Sequence, residues 1–159
     1  MRGTVAIDPY ARLSDLLEAA ATGTTPAPGR SLEPFAMDPW AVAALARATA
    51  GTIADAASRG AVLRAIGEGT PASPLVGFDT APAANLSPAA AAWWRLWANR
   101  APQAFSGLYR ALPAPMRAEV DSLSPARRIA AVRAEVLVLD PADDTAYPPA
   151  EGRWLVQGN

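Results

Sequence analysis

Hydrophobic residues recur at helical spacing along most of this chain and form short, nearly unbroken apolar runs at two places. Leu13, Leu16 and Leu17 share one face of a predicted helix that runs from Asp8 to about Ala21. The two runs are Thr4–Ile7 and Glu135–Leu139, and both are short and partly β-branched, which is typical of strands. Because the second run is almost wholly apolar, we expect it to be buried on both faces of a sheet.

Helix starts are marked by a repeated pair, an Asp or Ser followed by proline. Such a side chain accepts a hydrogen bond from an unpaired amide of the first turn, and proline suits the first helical position. Four of these pairs are predicted to start helices: Asp8-Pro9, Asp38-Pro39, Ser87-Pro88 and Ser124-Pro125. The predicted helices after the first are Asp38 to Gly51, about Ile53 to Ile66, Pro88 to about Asn99, Pro102 to Leu112, Met116 to Leu123, Pro125 to Val132, and one from near Pro149. Thr22 to Pro34 and Thr70 to Leu86 are predicted loops.

The order of elements is strand, helix, a long run of helices and loops, strand, helix. Two apolar strands so far apart cannot form a hairpin, so we predict a parallel pair joined by a crossover. The crossover is longer than one helix requires, which indicates an inserted helical segment. The predicted fold class is therefore α/β, with two parallel strands and a large, mainly helical insertion.

Composition narrows the chemistry. The 159 residues are 51% hydrophobic with a net charge of -1, which indicates one globular domain. Basic residues are spread along the chain, so no nucleic-acid partner is expected. The start lacks a signal peptide and no apolar run is long enough to span a membrane, so we expect a cytoplasmic protein. With 0 His and 0 Cys, imidazole bases, thiol nucleophiles, disulfides and zinc sites are excluded within these residues, and no cofactor is expected.

Residues 129–148, IAAVRAEVLVLDPADDTAYP, resemble the seventh strand of α/β-hydrolases and the acid turn that follows it. Asp144 and Pro148 keep the family's Asp-x-x-x-Pro spacing. Glu135 stands where the family usually has a proline, and Asp140-Pro141 replaces its His-Gly turn. The resemblance implies that Asp144 is the acid of a Ser-His-Asp triad, the group that orients and stabilises the catalytic imidazole.

Residues 4–20, TVAIDPYARLSDLLEAA, are similar to the family's sixth strand and the turn after it. In many members a helical cap lies between these two strands. The resemblance thus implies core segments at residues 1–22 and 124–159, with a helical cap at residues 23–123. It also implies a small-molecule substrate and hydrolysis of an ester, an amide or a similar bond.

Two parts of the triad are missing from the sequence. No G-x-S-x-G nucleophile elbow is present, and there is no histidine. The chain is therefore expected to be a truncated hydrolase-like product that is inactive alone, and its uncovered strand edges are expected to favour self-association. The alternative hypothesis is a non-catalytic helical interaction module.

Two residue groups admit more than one interpretation. Asp140, Asp143 and Asp144 could hold Mg²⁺ or Ca²⁺, but their spacing fits no EF-hand loop, so an ordinary solvated turn is favoured and no metal is predicted. Trp93 and Trp97 lie one helical turn apart, with Trp94 on another face. They could pack the cap onto the core, form the wall of a substrate pocket, or contact a membrane surface.

Overall fold

The computed structural model describes residues 3–7, 9–29, 31–67, 77–78, 82, 85–141 and 143–157. The strands are β1 Gly3–Ile7, β2 Thr24–Pro26, β3 Leu32–Pro34 and β4 Glu135–Leu139. The α-helices are α1 Leu13–Thr22, α2 Pro39–Ala50, α3 Ala56–Ile66, α4 Pro88–Trp97, α5 Pro102–Ala111, α6 Ala114–Ser122 and α7 Pro149–Gln157. Within these residues no helix combines the length and the apolar character that crossing a membrane requires.

The two strands at opposite ends of the chain form a parallel pair. Gly3 of β1 lies opposite Glu135 of β4, and the register continues to Ile7 opposite Leu139. The predicted parallel pair is therefore confirmed, and the chain mixes helices with a small parallel sheet. The structure adds a separate antiparallel pair, β2 with β3, inside the segment predicted to be a loop.

One face of the parallel sheet is uncovered. Val5, Ile7, Leu137 and Leu139 remain 56%, 68%, 55% and 47% exposed. The alternating residues Ala6, Val136 and Val138 are half-buried on the opposite face. The prediction that β4 is buried on both faces was therefore wrong, because an apolar strand sequence does not determine whether a second layer covers it.

Side-chain caps start three helices where an Asp or Ser precedes the first turn. Asp38 Oδ1 accepts a hydrogen bond from the amide of Trp40 at 2.9 Å, and Asp55 Oδ1 accepts from Ser58 at 2.7 Å. Ser87 Oγ accepts from Ala90 at 3.4 Å. The predicted starts after Asp38 and Ser87 are confirmed, whereas α3 begins at Ala56 rather than near Ile53 because Asp55 is its cap.

The helix starts predicted at Asp8-Pro9 and Ser124-Pro125 differ from the structure. Asp8 lies outside the described residues, and α1 begins at Leu13 rather than after Pro9. Ser124 caps no helix of its own, and the helix predicted from Pro125 to Val132 consists of two short 3-10 turns, Pro125–Arg127 and Ile129–Ala131. Instead, Ser124 Oγ accepts a hydrogen bond from the amide of Leu13 at 3.0 Å. Ser124 thus accepts from the first amide of α1, which is distant in the chain, and does not cap the turn that follows it.

The main core is helical and aromatic. Trp93 and Trp97 are each 1% exposed, and both pack with Phe78 at ring-centroid distances of 6.1 and 5.3 Å. Helix α1 packs on α4, α5 and α6, and α2 packs on α3 and α4. The first predicted core helix therefore shares one apolar cluster with helices of the predicted cap, while the division into core and cap segments stays a prediction.

Candidate functional site

The loop between β4 and α7 holds the predicted acid in a defined turn. Asp144 Oδ1 accepts hydrogen bonds from the backbone amides of Ala146 at 2.7 Å and Tyr147 at 3.1 Å. Among the described residues no hydrogen bond reaches its second oxygen, Oδ2. The turn follows Leu139, so Asp144 lies beyond the carboxyl end of the parallel pair, where open α/β sheets place their ligand sites. Its role as a triad acid remains a prediction.

The three aspartates of this loop point to different surroundings. Asp143 is exposed, whereas Asp144 is half-buried in its own turn. The Asp140 carboxylate lies against α7, so close that a Cβ added to Gly152 would be 1.9 Å from its Oδ2. Within the described part of the chain, no three acidic side chains come together in a way that could hold a metal ion.

The close approach of the Asp140 carboxylate to Gly152 predicts that the effect of Gly152→Ala on stability depends on the residue at position 140. Alanine normally stabilises a helix interior by roughly 0.5–1 kcal/mol over glycine. Here Gly152→Ala is expected to cost about 1–3 kcal/mol, because the new methyl overlaps the Asp140 carboxylate. In an Asp140→Ala background the same change should cost less or stabilise. Urea unfolding of the four proteins of this cycle tests the coupling, and equal costs in both backgrounds would contradict it.

An apolar cleft adjoins the acid turn. It consists of two neighbouring cavities of about 230 and about 280 Å³ that share Leu16, Leu45, Ala48 and Tyr147. Helices α1 and α2 supply the shared walls, α6 closes the second cavity, and Tyr147 belongs to the turn that Asp144 holds. The cleft was not predicted, because its walls come together only through the packing of distant segments.

A pair of stacked tyrosines forms one side of the second cavity. The rings of Tyr10 and Tyr147 are nearly parallel, at 11°, with centroids 6.3 Å apart. The Tyr10 hydroxyl donates to the carbonyl of Leu123 at 3.0 Å. Burial, followed by the nearby Tyr147, raises the pKa of Tyr10 above its ordinary value. The Tyr10 hydroxyl is therefore neutral at physiological pH and serves as a donor rather than as a base.

Trp93 and Trp97 lie beneath this cleft and do not line either of its cavities. Trp93 Nε1 donates to Thr49 Oγ1 at 3.2 Å, and Thr49 in turn faces the second cavity. The space beside both indoles is about 10 Å³, roughly one water molecule. These contacts are those of a packed core, and a substrate-binding role for the two tryptophans stays a prediction.

A buried carboxylate that the sequence analysis missed joins α7 to the start of α1. Glu151 is 0% exposed, and its Oε2 accepts from the amides of Ala11 and Arg12, both at 2.8 Å. Arg12 Nε is 3.0 Å from Asp15 Oδ2, and the guanidinium lies 4.1 Å from the ring centroid of Trp154. Glu151 thus ties α7 to the two residues that lead into α1. No short motif marks this role, since its partners are 140 and 139 positions away.

No protein-family model matches the chain, and comparisons with curated proteins and with solved structures find no significant match.

Proposed function

We propose that this chain is part of an α/β-hydrolase-like protein, in which it supplies the acid turn and the helical walls of a substrate cleft. The observation that supports this most is the position of Asp144. It follows one strand of a parallel pair whose register is continuous over five positions, and the turn that it holds contributes Ala146 and Tyr147 to an apolar cleft. Ligands of open α/β sheets bind beyond the carboxyl ends of their strands.

The uncovered sheet face supports membership of a larger protein, in which a further layer covers that face. Strands of parallel sheets are normally covered on both faces, and apolar side chains exposed in a contiguous patch mark an interaction surface. Val5, Ile7, Leu137 and Leu139 form such a patch here. Further elements of the hydrolase-like protein would cover these side chains and extend the sheet.

The proposed chemistry divides the triad between this chain and other segments. Asp144 would orient an imidazole and stabilise the imidazolium that forms when the imidazole takes a proton from the nucleophilic serine. The hydrogen bonds from Ala146 and Tyr147 fix one carboxylate oxygen, which leaves the other for the imidazole. Neither a histidine nor a G-x-S-x-G elbow is present in the 159 residues, so both would come from elsewhere.

The isolated chain is accordingly expected to show no esterase activity above background on p-nitrophenyl acetate. The physical reason is that an acid without its base cannot activate a nucleophile. Turnover that follows the protein through purification would contradict this expectation if it were lost in Asp144→Asn. The matched control is Asp143→Asn, which changes an exposed neighbour of the same charge.

The DNA on both sides of this reading frame tests the larger proposal. We expect a G-x-S-x-G on the amino-terminal side and a histidine on the carboxyl-terminal side. A chain that includes both should hydrolyse activated esters and lose that activity with Asp144→Asn but not with Asp143→Asn. Flanking sequence without these motifs, or activity that survives Asp144→Asn, would overturn the proposal in favour of a non-catalytic module.

A further inference from the structure

We infer that the cleft beside the acid turn binds an uncharged apolar group, an aromatic ring or an alkyl chain, between Tyr147 and α2. The inference rests on the proposed function in one respect, since it takes this group to be part of the substrate. The binding itself requires no turnover. It follows from the size of the cleft, from the hydrogen bonds already made by its polar atoms, and from its charge.

The size of the cleft fits a small molecule. Its two cavities, about 230 and about 280 Å³, are adjacent and share Leu16, Leu45, Ala48 and Tyr147. Small-molecule sites in proteins occupy roughly 300–1,000 Å³. The two cavities together therefore hold a ring system or a medium-length alkyl chain, whereas either alone is below that range.

Most polar atoms on the cleft already have partners within the protein. Thr49 Oγ1 lies 2.9 Å from the carbonyl of Leu45 and accepts from Trp93 Nε1, and Thr52 Oγ1 donates to the backbone carbonyl of Thr49 at 2.6 Å. The Tyr10 hydroxyl donates to Leu123. Among the described residues, the Tyr147 hydroxyl makes no hydrogen bond. A ligand would thus bind mainly through apolar contact, with its polar groups limited to those that reach Tyr147 or Glu119.

Charge on the lining disfavours anions. Among the described residues that line the two cavities, Glu119 is charged and none is basic. A carboxylate or phosphate ligand would meet no cation there and would be repelled by Glu119. An anion is therefore disfavoured, and because the rest of the lining is mainly apolar and Glu119 is itself exposed, burial of a cation would also be costly, so an uncharged group fits best.

Trp40 gives the cleft an exposed aromatic residue at its first cavity. It is 53% exposed, whereas Trp93, Trp94 and Trp97 are at most 4% exposed. A ligand that lies against α2 would cover part of the Trp40 ring and remove apolar surface from water. The difference in fluorescence between the wild type and Trp40→Phe therefore isolates the contribution of Trp40 from that of the other tryptophans.

Titration of the full chain with the neutral fluorescent probe N-phenyl-1-naphthylamine tests this site. We expect saturable binding with energy transfer from Trp40, and transfer that falls in Trp40→Phe. Ala48→Phe, which fills the space shared by the two cavities, should weaken binding at least about tenfold. Ala44→Phe, which fills the first cavity, is a second variant in case Ala48→Phe does not fold. The matched control is Ala118→Phe, on an exposed position of α6 that does not line the cleft.

Three results would overturn the inference. One is unchanged binding in folded Ala48→Phe and Ala44→Phe. Another is binding that Leu137→Ser abolishes and the cleft variants do not, which would place the probe on the open sheet face. The last is tighter binding of the anionic 1-anilinonaphthalene-8-sulfonate than of the neutral probe. Each result removes the cleft from the proposed function but leaves the proposed role of Asp144 intact, since that role is tested separately by the flanking reading frame and by Asp144→Asn.

Discussion

Replacement of Trp93 by alanine is expected to lower the free energy of unfolding by about 3–5 kcal/mol, enough to unfold a domain of ordinary stability in part or completely. Trp93 is 1% exposed and contacts Trp94, Trp97 and Phe78, with ring-centroid distances of 6.1, 5.5 and 6.1 Å. Its removal would leave a cavity among three large rings. It would also remove the donor to Thr49 Oγ1, which is itself buried.

The measurement is chemical unfolding followed by far-ultraviolet circular dichroism, with Trp40→Ala as the matched control. Trp40 carries the same side chain at 53% exposure, so its removal should cost less than about 1 kcal/mol. Equal losses for the two variants would show that the α4 tryptophans do not form the core. Since Trp40 adjoins the cleft, its variant should still weaken probe binding.

The stability of the chain is expected to fall as pH rises from 5 to 8. Burial, more than any other factor, raises the pKa of Glu151 from 4.5 to about 7, and the Asp15 charge adds to this. Hydrogen bonds from Arg12 and Ala11, and the charge of Arg12, act in the opposite direction. A carboxyl whose folded pKa is raised stabilises the fold while it is protonated, below its unfolded pKa. That contribution is lost as pH rises through about 7.

Glu151→Gln should remove about 2–3 kcal/mol of this pH dependence, because an amide keeps the oxygen acceptor for Ala11 and Arg12 but does not ionise. Part of the dependence should remain. The pKa of Glu18 is also raised to about 7, by burial and by Asp15, and the pKa of Asp15 is raised mainly by burial.

The comparison requires unfolding curves at several pH values for the wild type, Glu151→Gln and Glu135→Gln. Glu135 is exposed at the start of β4, so its variant should keep the full pH dependence. A Glu151→Gln curve parallel to that of the wild type would mean that Glu151 stays ionised in the folded protein. Glu151→Ala should be destabilised even at pH 5, because two buried amides lose their acceptor.

The sequence predicted helix caps and turns correctly where the side chain bonds to residues close to it in the chain. Asp38 and Ser87 cap the helices that they precede, since the amides they bind belong to the next turn. Glu135–Leu139 is a strand because its apolar, β-branched residues favour one irrespective of what covers it. The turn of Asp144 could likewise be predicted, since the carboxylate binds amides two and three positions later.

Features that depend on distant segments could not be predicted in this way. Ser124 has the same local sequence context as Ser87, yet it bonds to Leu13. The open sheet face depends on which layers pack against β4, and the cleft depends on how α1, α2 and α6 approach one another. Glu151 carries no marker of burial, because charged residues are rarely buried and its partners, Ala11 and Arg12, are far away in the chain.

The contacts of the first strand and of the residues after it are with the opposite end of the chain, which bears on the order of folding. β1 pairs with β4, and Ala11 bonds to Glu151, 140 positions away. Some neighbouring helices, such as α2 with α3 and α4 with α5, contact each other directly, so their loops close at a smaller entropic cost, whereas α6 packs on α1. During synthesis the helical middle can form while β1 still lacks its partner strand. We expect assembly to begin at these local helix pairs, with the pairing of β1 and β4 formed last.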